Sequence, residues 1–207
     1  ITKSQFNALR LSALRLSKAQ RTLKKKLLDS VSKLPGISFV PISTVGCYVP
    51  GGQARYPSSA IMSTITAAEA GVNRIVVISP PDFNGNIDPM TVYVAQKCGA
   101  ELYKVGGAQA IGALAYGTKS IPKVDKIIGP GGKFVSIAKS LVSDQTAIDM
   151  VAGPTELGII ADASSDPELI ALDLISQAEH SRDTMCFVIT QSKTMAKQIQ
   201  KSIEKLI

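Results

Sequence analysis

One histidine, three cysteines and no long hydrophobic run are what this 207-residue chain has to offer in those categories, and each scarcity excludes something. No apolar stretch reaches the roughly 18 residues that a membrane-spanning helix needs. The amino end, Ile1-Thr2-Lys3-Ser4-Gln5, lacks the charged-then-apolar profile of a secretory signal. Cys47, Cys98 and Cys186 lie too far apart for a disulfide framework or a CxxC knuckle, so reduced, mostly buried thiols in a cytoplasmic protein are expected. Neither GxGxxG nor GxxxxGK[ST] occurs, which removes the dinucleotide fingerprint and the P-loop. There is no internal repeat and no low-complexity tract.

What is present suits a globular protein: 45% hydrophobic residues and a mean hydropathy of +0.17 can fill a core. The net charge is +7, and much of the excess lies early, at Arg10, Arg15, Lys18, Arg21, Lys24, Lys25, Lys26 and Lys33. A nucleic-acid face is one reading of that cluster. Leu9, Leu16, Leu23 and Leu27 recur between the charges at helical spacing, however, and aromatic stacking residues are nearly absent there. The expectation is a packed helix with a solvated basic face, and no nucleic-acid or membrane partner. A start at Ile1 and a stop at Leu206-Ile207, inside an apparently uncapped helix, suggest a piece of a longer protein.

After a first helix ending near Leu34-Pro35-Gly36, short β-branched runs alternate with amphipathic stretches, the pattern of a mostly parallel sheet covered by helices. Strands are expected at 74–79, 101–105, 126–128, 148–151, 157–161 and 186–190. Helices are expected at 57–70, 88–98, 108–116, 133–141, 167–179 and 192–206. Ile75-Val76-Val77-Ile78 reads as a strand buried on both faces. Val49-Pro50-Gly51-Gly52 and Ala152-Gly153-Pro154 are the candidate boundaries.

Four glycine-bearing turns stand where strands hand over to helices: 48–52, 105–109, 128–132 and 152–156. Ligands of open α/β sheets lie beyond the carboxyl ends of strands, where glycine lets backbone N–H groups approach an anion, so a nucleotide crevice is indicated. Each turn alone is equally a tight connection. Tyr48 and Tyr116 can stack on a base or hydrogen-bond a ribose, or cover the core edge. Ser58 and Ser59 are placed to cap the helix opened by Pro57. Thr155-Glu156 offers a hydroxyl and a carboxylate to a polar substrate, or caps a turn. Asp173, Gln177 and His180 fall at i, i+4 and i+7 on one helical stripe. Gln177 and His180 can each donate to a metal, while a capped or partly buried histidine at a helix end is the plainer alternative.

Taken together, Tyr48-Val49-Pro50-Gly51-Gly52, Tyr56-Pro57-Ser58-Ser59, Val105-Gly106-Gly107-Ala108-Gln109-Ala110, Gly129-Pro130-Gly131, Ile148-Asp149-Met150-Val151-Ala152-Gly153-Pro154 and Gln177-Ala178-Glu179-His180 resemble the histidinol dehydrogenase family, in order and spacing, over most of the chain. The resemblance implies two similar, incomplete Rossmann-like domains with mostly parallel sheets, the second inserted into the first. Residues 1–47 and 153–207 would form the first and 48–152 the insert on the NAD side. It further implies a cytoplasmic homodimer with one zinc per subunit. The implied reaction is the NAD-dependent oxidation of L-histidinol through histidinaldehyde to L-histidine, the last step of histidine biosynthesis. By the same resemblance Gln177 and His180 are zinc ligands that also lie against substrate, and Thr155 stands for a substrate-contacting serine. Tyr48 and Gln109 are NAD contacts, and Gly132 takes the place of an asparagine that touches NAD. The family's catalytic Glu-His pair and its remaining aspartate and histidine zinc ligands fall beyond Ile207, so no catalytic residue is expected in this chain and the 207-residue piece is expected to be inactive. A non-catalytic ligand-binding module on the same α/β scaffold is the alternative.

Overall fold

The computed structural model describes residues 1–51, 55–151, 156–179 and 184–207. It falls into two compact units, Ile1–Val151 and Ala152–Ile207.

The first unit opens with α1 (Lys3–Val31), whose start is fixed by a reciprocal cap between Thr2 and Gln5. It continues through β1 (Thr44–Tyr48), α2 (Pro57–Ala70), β2 (Arg74–Ser79), α3 (Pro89–Lys97), β3 (Glu101–Lys104), α4 (Gly107–Tyr116), β4 (Lys126–Ile128), α5 (Lys133–Leu141) and β5 (Ala147–Ile148). The strands form one sheet in the order β3-β2-β1-β4-β5, every neighbouring pair parallel. Alternation along β2 sends Ile75 and Val77 to one face, with α2 and α3, and Val76 and Ile78 to the other, with α4 and α5. A sheet buried on both faces explains why 75–78 is apolar throughout.

β1 is a strand that residue preference does not pick out, because Gly46 dilutes the β-branched run. A Cβ at Gly46 would stand 2.8 Å from Leu114 Cδ1, where α4 presses onto the sheet. The strand expected at 148–151 is cut to Ala147–Ile148, since Asp149 turns its carboxylate back toward Gly129 while its N–H still donates to the Ile127 carbonyl. β1 pairs with β2 along its whole length.

The basic first helix is held against α2 by Glu69, which accepts from Ser17 Oγ at 2.6 Å and Arg21 Nε at 2.8 Å, while Lys24 Nζ reaches the Glu69 carbonyl. These contacts hold the Glu69 carboxyl below its usual range, through Arg21 first and Ser17 next. Of the four leucines expected to pack, Leu9 is buried and Leu16 partly so. Leu23 and Leu27 are about half exposed. Leu9→Ala is therefore expected to cost about 2–4 kcal/mol and Leu23→Ala under about 0.5, measured by denaturant unfolding.

The second unit runs β6 (Glu156–Ala161), α6 (Pro167–Ala178), β7 (Met185–Thr190) and α7 (Lys193–Leu206), with β6 and β7 parallel. Asp166 and Ser192 cap the two helices. Ile170, Leu174, Met195 and Ile199 pack on one face of the strand pair, and on the other face Ile160, Met185, Phe187 and Ile189 are exposed. Among the described residues no helix is long and apolar enough to cross a membrane.

Candidate functional site

The chain winds β1, β2, β3 outward on one side, then returns to place β4 and β5 on the other side of β1. The carboxyl ends of β1 and β4 therefore flank the point where strand order reverses, the usual ligand crevice of an open α/β sheet. β1 ends at Tyr48, the turn after β4 carries Gly129, Gly131 and Gly132, and the turn after β3 carries Gly106 and leads into α4 at Gly107.

The helices leaving these turns differ from the others. Thr2, Asp88, Asp166 and Ser192 accept hydrogen bonds from the first-turn amides of α1, α3, α6 and α7. The N-cap residues of α2, α4 and α5 are Tyr56, Gly106 and Gly132, and none makes a side-chain cap. The expected serine cap at α2 is thus not formed: Ser59 sits inside the helix, where its carbonyl accepts from Ser63. Helix starts without such caps leave N–H groups and the positive end of the helix dipole for an anion.

Tyr48 is 5% exposed, with its ring in the core beneath α4, so stacking on a base is not open to it. Its hydroxyl accepts from the Gly107 N–H at 3.0 Å, pinning the start of α4. A phenol that accepts one hydrogen bond can still donate another. Gln109 is exposed in the first turn of α4, its side chain folded back over Gly107. Tyr116 is exposed at the far end of the same helix.

Gly132 is exposed at the start of α5 with φ −68°, and a Cβ there would meet nothing within 4 Å. Its lack of a side chain is therefore not a packing requirement. Gly132→Asn is expected to fold unchanged and to raise stability by a few tenths of a kcal/mol through an added side-chain cap, measured by denaturant unfolding.

Gly129 has φ +113°, and a Cβ on it would collide with the Tyr48 carbonyl oxygen. Its N–H donates to Asp149 Oδ2 at 2.8 Å and its carbonyl accepts from Lys139 Nζ at 3.1 Å. Lys139 and Asp149 form an ion pair with the lysine almost wholly buried. Burial pushes the Asp149 carboxyl up, but Lys139 and the Gly129 and Met150 N–H groups outweigh it, leaving the pKa below the ordinary 3.8. A depressed folded pKa contributes stability above the unfolded value that is lost as pH falls through the folded value. Acid titration of stability should accordingly be shallower below about pH 4 in Asp149→Asn than in the parent sequence.

All three thiols are free. Cys47, beside Tyr48, is fully buried, and burial pushes its pKa up to about 12, so it is no nucleophile.

In the second unit Gln177 is half-buried in the last turn of α6, with Asp173 exposed one turn earlier. α6 ends at Ala178 with Glu179 as C-cap, and Glu156, exposed, opens β6. His180 and Thr155 lie outside the described residues. Among the described residues no three of His, Cys, Asp and Glu gather as a metal site.

The switch point, the parallel order and the uncapped glycine-led helices place the first unit in the class of doubly wound, Rossmann-like α/β domains. The histidinol dehydrogenase family profile matches residues 1–207. Histidinol dehydrogenase of Lactiplantibacillus plantarum is 52% identical over 171 residues, covering 82% of this chain and 40% of that protein. That of Bacillus anthracis is 45% identical over 193 residues, covering 92% and 45%. The crystal structure of histidinol dehydrogenase from Elizabethkingia anophelis superposes with a TM-score of 0.84 at 35% identity, covering all of this chain and 49% of that one. The chain belongs to the histidinol dehydrogenase family, and it spans less than half the length of these relatives.

Proposed function

We propose that this chain supplies the NAD-binding domain and two of the zinc ligands of an enzyme that oxidises L-histidinol through histidinaldehyde to L-histidine. The observation that carries the reading is the crevice between β1 and β4, entered by α4 and α5, helices that begin at glycine without a side-chain cap. Such N-termini suit a pyrophosphate. Gln109 on α4 and the Tyr48 hydroxyl add side-chain contacts, and at Gly132 only backbone is available, so NAD is gripped mainly by main-chain amides.

The donor set fits zinc as far as it goes. An amide oxygen and an imidazole nitrogen, from Gln177 and His180, are two of the four ligands such a site requires, and the rest would come from elsewhere in the parent polypeptide. When bound, zinc holds and polarises the substrate and NAD accepts the hydride. The Thr155 hydroxyl retains the donor and acceptor capacity of the family's serine against substrate. Each oxidation releases one hydride and one proton, and the proton acceptor is the Glu-His pair outside this chain, so the 207 residues alone should not turn over. For the parent we propose the inserted-domain arrangement, with residues 1–47 and 153–207 in one domain and 48–152 as the insert, and a cytoplasmic homodimer. Free thiols and the family membership support this.

Incubating the parent polypeptide with histidinol, NAD and zinc should yield NADH and histidine, while the 207-residue chain yields none. Absence of NADH from the zinc-replete parent would leave only a binding module on this scaffold.

A further inference from the structure

The two turns that frame the crevice are each held from outside by a side chain. At the start of α4 it is Tyr48, through the Gly107 N–H. At the start of α5 it is Lys139 and Asp149, acting together on Gly129. Lys139 lies in α5, with a side chain only 3% exposed, and donates to the Gly129 carbonyl and to Asp149 Oδ1. Asp149 lies just past β5 and accepts the Gly129 N–H through Oδ2 and the Met150 N–H through Oδ1. Both peptide groups of one glycine are thus gripped by one ion pair, whose lysine is buried and whose aspartate reaches solvent.

We propose that Lys139 and Asp149 are positioning residues for the cofactor, setting where the Gly129–Gly132 turn presents its amides to the pyrophosphate of NAD. The inference rests on the NAD reading above. Burying a lysine is costly, and apolar residues would close the junction of α5 with the sheet more cheaply. What apolar residues cannot do is fix the orientation of a peptide whose φ of +113° and contact with the β1 carbonyl already make it intolerant of displacement. The pair does this from both sides, with directional bonds to N–H and C=O. Gly132, having no side chain to contribute, makes the placement of backbone amides matter more here than where asparagine stands. Displacements of about 1 Å in such supporting residues are enough to weaken a site severely.

The test uses the full-length parent. Lys139→Met with Asp149→Asn removes both charges at once and leaves no unpaired ion. The expected result is a folded protein in which NAD affinity by calorimetry and KM for NAD each worsen about tenfold or more, while KM for histidinol changes less than about threefold. Amide exchange at Gly129–Val135 should accelerate while that of Val76–Ile78 stays slow. Should the double variant fail to fold, Lys139→Arg, which keeps the charge but not the geometry, is expected to show the same NAD-selective loss at about threefold. NAD affinity within about twofold of the parent in a folded variant would overturn the proposal, whether or not exchange at the turn accelerates. Failure of the unsubstituted parent to bind NAD would overturn the cofactor reading itself, and is recognised separately because the exchange difference would persist without the cofactor.

Discussion

Gly129→Ala should be the most destabilising single substitution in the first unit, lowering the melting temperature by about 10 °C or more, or preventing folding outright. Two terms add. An alanine at φ +113° costs about 1–3 kcal/mol in backbone strain. The new methyl must also displace the Tyr48 carbonyl, which belongs to the central strand and cannot swing aside as a flexible side chain would. Gly112→Ala is the matched control. Gly112 lies inside α4 with open space where the methyl would go, so this change should stabilise by about 0.5–1 kcal/mol. Thermal unfolding of the two variants side by side separates a conformational requirement from a general dislike of substitution. Equal melting temperatures would mean that the 129–132 turn is not held as described.

In the full-length parent, His180→Ala should release zinc and reduce kcat/KM by at least about 100-fold, a loss already produced by removing mere outer-shell partners of a metal. Gln177→Ala should do the same more weakly, since an uncharged amide oxygen is a poorer zinc donor than imidazole. Elemental analysis after dialysis is the measurement. One zinc per subunit in the parent and well under that in His180→Ala supports the ligand assignment. Unchanged stoichiometry in both variants removes it, whatever happens to the rate.

The fold was legible wherever burial on both faces wrote an apolar run, as in β2, or where a cap or proline marked a helix start, as at Pro57, Asp88 and Asp166. It was not legible at β1, where Gly46, facing the Leu114 side chain, interrupts the β-branched run and so hides the strand. Nor was it legible along the second half of α1, where Leu23 and Leu27 keep helical spacing yet stay about half exposed. Glycine turns at strand ends gave the place of the crevice. They did not give the burial of Tyr48, which depends on α4 closing over the ring, nor the pair Lys139 and Asp149. Neither residue lies in a pattern with the other: their meeting at Gly129 follows only once β5 is paired to β4. A lysine among apolar neighbours in Phe134-Val135-Ser136-Ile137-Ala138-Lys139 was the one available signal.

The central claim is that cofactor binds at the β1–β4 switch point against the starts of α4 and α5, and amide hydrogen exchange of the full-length parent with and without NAD tests it most directly. Protection is predicted at Val49–Gly51, Gly106–Ala110 and Gly129–Val135, with α3 and α7 unaffected. NAD-dependent protection confined to other segments, or none at saturating NAD, would contradict it.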